Sequence, residues 1–440
     1  MAPRDDQSRV NHTWQLDLFY PATSDIAVYT ELKAARRDVV WARNSNEPNE
    51  WLFERGEFWL YVDDLFDSPF ALQVGRQRYF DDREWWWEED LDSVRLRFDL
   101  DRFHADLGVA EELLPVVLNQ GEIDPELEDV LFVLGSARWR WWRDHEVALF
   151  ALHQHDRSSH QPLVINEPHP TLPCLPEEDI PPNLPPSGHE FYRSGCPDPP
   201  PIVNLEDDSD ATLTWLGGTL SGRHAIPRYG RVRYWLQTAG VFGRERYTDY
   251  SGPTGSRRVG SVDRHDVSGW GLEVGGAFRF DLPATPYISF NFATGSGDPE
   301  MTEEHDTGFR QTGLQDNSER LDGVVSLGYY GELLDPELSN LSIWSLGFGF
   351  RFLRKSSFDF MYHRYRQNEA APFLRDTDIN RDPDGVNRSL GEEWDVIVGI
   401  EEWERVEFKL IGALFRPGAA FEPEAGELSY LLSARVRLNL

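Results

Sequence analysis

Arginines recur along this chain at spacings of two. Arg95 and Arg97 in SVRLRFDL (93–100), Arg138 and Arg140, Arg231 and Arg233, and Arg435 and Arg437 each flank a single apolar residue. In an extended strand successive side chains point to opposite faces, so each pair sets two guanidiniums on one side and an apolar residue on the other. Such planar forks do no covalent chemistry. They bind carboxylates bidentately, and a ring of basic side chains selects anions.

Strands must carry these arginines, and strands dominate the pattern. Runs of about 8 to 14 residues alternate apolar with polar and end at Gly, Pro, Asn or Asp, the signature of a transmembrane β-barrel. The pattern predicts eighteen strands, from 13–19 at the start to 428–440 at the end, with 323–333 among them. The expected fold is therefore all-β: one transmembrane antiparallel β-barrel domain over 1–440, most simply 18-stranded, with long loops. The last run, LSYLLSARVRLNL, puts Leu428, Tyr430, Leu432, Ala434, Val436, Leu438 and Leu440 on one face. A strand this apolar is an aggregation-prone edge unless it closes against the first strand. Long and short connections alternate except between 294 and 355, where the phase slips.

Composition fits a membrane-spanning wall. Apolar residues are 40%, aromatics 13% with 16 Trp, and mean hydropathy is -0.53. No window approaches the roughly 18 apolar residues of a spanning helix. The opening MAPRDDQSRV has no apolar core of a signal peptide, so an exported protein would already have lost it. The bacterial outer membrane, with its lipid bilayer as partner, is the expected location. A net charge of -33 excludes nucleic acid as a natural partner. The acidity is concentrated in connecting segments such as EDDSD and DTDINRDPDG.

If the Val94 and Phe98 face meets lipid, the same parity turns Arg95, Arg97, Arg138, Arg140, Arg231, Arg233, Arg279, Arg351, Arg405, Arg435 and Arg437 inward, and puts Arg55 on one face with Glu57. An arginine at the lipid midplane costs roughly 2–4 kcal/mol, which enforces that parity. The expected pore lining is thus about a dozen arginines, with Lys409 a rare lysine. The competing expectation is that they pair with inward carboxylates, Glu57, Asp99, Glu273, Asp359, Asp395 and Glu407. Arg76, Arg78, Arg364 and Arg366 share parity with apolar residues, so they sit past a bulge at Gly75 or beyond the bilayer edge.

The stretch 155–210 is a proline-rich insertion, either a surface excursion or a plug over a pore mouth. Its Cys174 and Cys196 are the only cysteines, and a disulfide clip is preferred to metal or catalysis. Trp85, Trp86, Trp87, Trp139, Trp141, Trp142, Trp41, Trp394 and Trp403 are expected in aromatic girdles, ahead of a sugar-stacking role. His153 and His155 form an H-x-H at a strand end, expected to be solvated rather than metal-binding. No G-x-S-x-G, H-E-x-x-H or C-x-x-C occurs, so no enzyme, metal or cofactor is expected.

The segments GRQRYFDDREWWWEEDLDSVRLRFD (75–99), FRQTGLQDNSERLDGV (309–324), YYGELLDPELSNLSIWSLGFGFR (329–351), MYHRYRQ (361–367), LGEEWDVIVGI (390–400) and FRPGAAFEP (415–423) resemble the alginate export family of outer-membrane β-barrels. The resemblance covers most of 50–440 in patches and does not extend to the proline-rich insertion. It implies an 18-stranded barrel with an electropositive constriction and loops that occlude it at rest. An anionic exopolysaccharide such as alginate would leave through it, supplied by periplasmic synthesis and export machinery. The matching positions are Arg76, Arg78, Arg83, Arg95, Arg97, Arg351, Arg364, Arg366, Arg435 and Arg437. Rival functions are a general or anion-selective uptake porin on the same fold and, less favoured, an outer-membrane hydrolase, which would need a clustered nucleophile and base.

Overall fold

The structure is a computed structural model that describes residues 7–42, 49–119, 123, 127–157, 209–251, 258–299, 304–379, 381–421 and 428–439. Cys174, Cys196 and nearly all of the 155–210 insertion lie outside the described residues.

Alternating runs become β1 (Gln7–Pro21), β2 (Ile26–Ala42), β3 (Glu50–Val62), β4 (Phe70–Phe80), β5 (Glu88–Asp99), β6 (Phe103–Glu111), β7 (Val130–Trp142), β8 (His145–Asp156), β9 (Ser209–Ile226), β10 (Gly230–Ser251), β11 (Arg258–Phe280) and β12 (Tyr287–Gly295). Three two-residue pieces follow, β13 (His305–Asp306), β14 (Ser318–Glu319) and β15 (Leu327–Gly328). The wall then resumes with β16 (Leu341–Phe352), β17 (Ser356–Gln367), β18 (Ser389–Trp403), β19 (Val406–Pro417) and β20 (Ser429–Leu438). Among the described residues there is no helix.

All of these except β14 and β15 form one 18-stranded sheet. Its membership differs from the expectation. Residues 323–333 are not a wall strand; they belong to one long connection, 296–340, between β12 and β16, which pair directly. The eighteenth member is the short β13, which lies parallel to β11. Removing 323–333 from the wall restores strict alternation of sides. Turns 22–25, 100–102, 143–144, 227–229, 353–355 and 404–405 share one end, and the long connections 112–129, 296–340 and 368–388 share the other.

Antiparallel succession of the seventeen long strands makes β1 and β20 run in the same direction. No pairing between them is among the described contacts, so the expected closure of the last strand on the first is not seen here. Both strands are exposed along nearly their whole length.

The wall has an outer apolar belt and a filled interior. Val94, Leu96, Leu149, Leu216, Phe290, Leu346 and Phe348 are exposed on the outer face, while their neighbours Ser93, Arg95, Phe150, Trp215, Asn291 and Ser345 are buried inside. The connections 81–87 and 309–340 enter the interior and touch distant strands at once. Trp86 stacks on Phe150 of β8 at 5.0 Å, and Tyr330 receives the Tyr365 hydroxyl of β17 on its carbonyl at 2.7 Å.

Candidate functional site

The interior plug is built from the sequence outward. At its root the buried Asp81 carboxylate accepts Trp86 N–H at 2.9 Å and Trp87 N–H at 3.2 Å, folding 81–87 into a tight turn. That turn aims Arg83 and three tryptophans inward. Trp85, Trp86 and Trp87 are buried and are therefore not the girdle expected of them. Local sequence shows a WWW run near a strand end, which suits a rim equally well; only the inward turn distinguishes the two. Trp41, Trp139, Trp141, Trp142 and Trp403 are exposed near strand ends, where a girdle belongs.

Arg83 is the centre of the plug. Its guanidinium pairs with Glu273 of β11 and Glu319 of β14, and lies between the rings of Trp235 (4.3 Å) and Tyr329 (4.2 Å). Two buried carboxylates hold its charged form well above the ordinary arginine range against the opposing effect of burial. Trp85 donates its indole N–H to Tyr330 Oη at 2.9 Å, and Tyr330 donates to Glu273 Oε2 at 3.2 Å. Arg310 pairs with Glu245 at 2.5 Å and Asp306 at 2.6 Å. On β18 Glu393 Oε1 accepts Leu333 N–H at 2.8 Å and Oε2 accepts Leu334 N–H at 3.0 Å.

Beneath the plug, at the short-turn end, lies a cleft of about 210 Å³ lined by Arg223, Arg231, Arg233, Arg279, Arg320 and Arg351. Five of them stand at the ends of β9, β10, β11 and β16, where parity turns them inward, and Arg320 comes from the plug. Their acidic partners are fewer. Arg233 meets Glu319 at 2.6 Å, Arg279 meets Asp322 at 3.3 Å, and Arg320 meets Glu401 at 3.7 Å. Glu319 is shared with Arg83. Arg351 donates to the carbonyls of Asp322 (3.0 Å) and Gly323 (3.3 Å). Arg223 and Arg231 have no carboxylate partner among the described residues. Six guanidiniums against three carboxylates leave the cleft cationic within a strongly acidic chain.

The other expected arginines separate into groups. Arg95 is buried, pairs with Asp106 at 3.1 Å and stacks on Tyr79 at 4.4 Å. Arg138 donates to Phe80 O at 3.3 Å and faces Phe150. Arg97 is half-buried, and Arg140 is exposed near the short-turn end. Arg435 and Arg437 are exposed on the edge strand β20, Arg437 lying 3.6 Å from Glu407.

Arg55 departs from its expected face. The β2–β3 register shifts between Thr30 and Leu32, so that Gly56 and Glu57 together oppose Glu31. This bulge reverses the parity of β3, and Arg55 turns to Asp92 (2.7 Å) and Glu112, on the side of Val94 rather than of Arg95. Arg76 joins it, 2.6 Å from Glu112, and segment 113–119 covers both by bonding along β3. Gly75, at φ +123°, sits beside Arg76, yet Ala71, Gln73, Gln77 and Tyr79 keep one inward phase. Arg78 is half exposed on Glu88, and Arg364 and Arg366 are exposed on the outer side. These positions lie towards the long-loop end.

Two features escaped the sequence. Arg223, near the end of β9, continues the inward phase of Trp215 and was not among the expected lining residues. Ser345, His363 and Asp395 line up on three adjacent strands, His363 Nδ1 hydrogen-bonding Ser345 Oγ at 2.8 Å and Nε2 lying 3.2 Å from the Asp395 carboxylate. All three are fully buried and Ser345 Oγ also lies 3.3 Å from Tyr329 O, so the arrangement fastens the plug and has no access for a substrate. Of the inward carboxylates expected to neutralise the arginines, Asp359 instead holds Tyr287 (2.5 Å) and Ser357 (3.0 Å), and Glu57 accepts from Trp59 (2.9 Å).

Comparison with known proteins agrees with this architecture. The alginate export family matches residues 28–432. The chain is 24% identical over 426 residues to alginate production protein AlgE of Pseudomonas aeruginosa, covering 91% of this chain and 78% of that one. It is 22% identical to AlgE of Pseudomonas syringae pv. tomato, over 78% of this chain and 63% of that one. The crystal structure of the outer membrane protein OprD of Pseudomonas aeruginosa superposes with a TM-score of 0.52 at 9% identity, covering 98% of this chain and 88% of that chain. With the family match spanning nearly the whole barrel wall, this chain belongs to the alginate export family of outer-membrane β-barrel proteins.

Proposed function

We propose that this barrel is a passive export conduit for an anionic polysaccharide of the alginate type, and that the cationic cleft is where the polymer enters the pore. The observation that carries this reading is the excess of guanidinium over carboxylate among the residues lining the cleft. Arg223 and Arg231 are its free anchors. A uronate carboxylate exchanges water for a guanidinium fork, and the neighbouring arginine takes the next residue of the chain. Each contact is weak enough to release, so the polymer slides. No covalent step and no cofactor enter this mechanism. The driving force comes from synthesis machinery on the periplasmic side.

The plug closes the resting pore above the cleft. Arg233, Arg279 and Arg351 bind both the plug segment 319–323 and the cleft, so a polyanion that engages them competes with Glu319 and Asp322. Substrate arrival thereby loosens the plug it must pass. Uptake of small anions on the same fold needs no such displacement, which is why the export reading is preferred to it.

The test is the reversal potential of the purified protein in a planar bilayer under a potassium chloride gradient, with sodium alginate then added to the short-turn side. Anion selectivity with block by the polymer supports the proposal. Cation selectivity, or anion current indifferent to alginate, overturns it.

A further inference from the structure

On its outer face the wall carries a groove of about 590 Å³ across β6, β7, β8 and β9. The outward direction is fixed by the neighbours: Phe150 and Trp215 pack inward on the plug, so Leu149, Ala151 and His153 of β8 and Thr214 and Leu216 of β9 point away from it. The floor is low because Gly135 opposes Ala151, Ala137 opposes Leu149, and Leu149 opposes Gly218. Leu107, Leu149 and Leu216 are each more than half exposed and form its sides.

The groove ends towards the long loops in polar residues, which is unusual for a face that meets hydrocarbon. His153 lies opposite Thr214 and bonds it at 2.9 Å through Nδ1; His155 lies opposite Thr212 and bonds it at 3.1 Å in the same way. The threonines fix both rings and leave each Nε2 facing outward. One strand further, Arg244 opposes Thr212 and is largely exposed, with Asp266 at 3.1 Å. An apolar slot beneath a row of two imidazoles and a guanidinium matches one chemistry: acyl chains below, phosphate above. Long loops of such barrels face outward from the cell, which places this row at the outer leaflet.

We propose that the groove is a binding site for one phosphorylated, multiply acylated glycolipid of the outer leaflet, with an acyl chain against Ala151 and Gly135 and a phosphate at His153, His155 and Arg244. This assigns a role to the H-x-H motif that export does not use. A zwitterionic phospholipid brings one singly charged phosphodiester beside its own cation and only two acyl chains, a weaker match to slot and row than a glycolipid phosphomonoester, and a second copy of the chain would present apolar residues to the row.

The full-length protein, purified in detergent, is incubated with diphosphoryl hexa-acyl lipid A or with palmitoyl-oleoyl-phosphatidylcholine and examined by native mass spectrometry. One lipid A is expected to stay bound at collision energies that strip the phosphatidylcholine. Ala151→Phe fills the slot from an outward position. Losing about two methylenes' worth of acyl contact lowers lipid A retention roughly tenfold. His153→Gln with His155→Gln lowers lipid A retention towards that of phosphatidylcholine and affects the latter less. Unheated gel mobility confirms that each variant is a folded barrel. Equal retention of the two lipids by the native protein, or lipid A retention by Ala151→Phe equal to native, overturns the proposal.

Discussion

Glu393 accepts the main-chain N–H of Leu333 at 2.8 Å, so a single carboxylate on the wall strand β18 carries a turn of the plug. It also accepts Leu334 N–H at 3.0 Å and the Tyr365 hydroxyl at 3.0 Å. The plug is thus fastened to β18 by two bonds to one residue, which also holds Tyr365 of the neighbouring strand.

Replacing Glu393 by Ala leaves two buried N–H groups unpaired, each costing about 1–3 kcal/mol. The plug should spend more time undocked. Single-channel recording is expected to show a several-fold higher open probability than native; an unchanged trace would mean that other contacts hold the plug.

Arg83 faces Glu273 and Glu319, all three almost fully buried. Arg83→Met would leave the buried Glu273 without its cation while Glu319 keeps Arg233, and breaking such a pair costs about 3–5 kcal/mol. Urea unfolding in lipid vesicles should show this loss. Adding Glu273→Gln to the variant should restore part of it.

Glu84, in the plug turn 81–87, has its carboxyl pushed up to about 7 by burial, with Glu88 and Asp316 adding to the effect against the Ser318 hydroxyl bond. The folded plug therefore binds a proton that the undocked loop releases at a lower pH. Docking is fully supported below the ordinary glutamate range and weakens as pH rises through about 7. Channel open probability should increase from pH 5 to pH 8, and Glu84→Gln should flatten that dependence.

Gly331 adopts φ +121°, and a Cβ there would strike the Tyr365 hydroxyl and Glu393. Gly331→Ala should cost about 1–3 kcal/mol of plug docking from backbone strain alone. Limited proteolysis of 309–340 in folded barrels is expected to be faster than native, with the wall left intact.

Arg223→Ser with Arg231→Ser removes two guanidiniums that hold no carboxylate among the described residues. Wall stability should be nearly unchanged, since surface substitutions of this kind stay within about 0.5 kcal/mol. Anion selectivity and alginate block should both fall, measured by reversal potential and by current reduction.

The wall was legible in the sequence because a strand has a period of two and lipid penalises every polar residue on one phase. SVRLRFDL keeps Arg95 inside and Val94 outside as its alternation states, and Arg231, Arg233, Arg279 and Arg351 follow the same physics. Alternation has no information about what fills the interior. Residues 323–333 alternate like a strand yet turn under Ser357 and Glu393, and Trp85–Trp86–Trp87 resemble a rim yet form the plug, because contacts across 33 to 245 residues decide both. The bulge opposite Glu31 reverses Arg55 for a similar reason: one extra residue flips every side chain beyond it, and its position depends on the partner strand. Period and polarity determined a barrel wall with arginines on its inward phase; the filling of the interior, and the assembly of six arginines at one end of it, came only with the tertiary contacts.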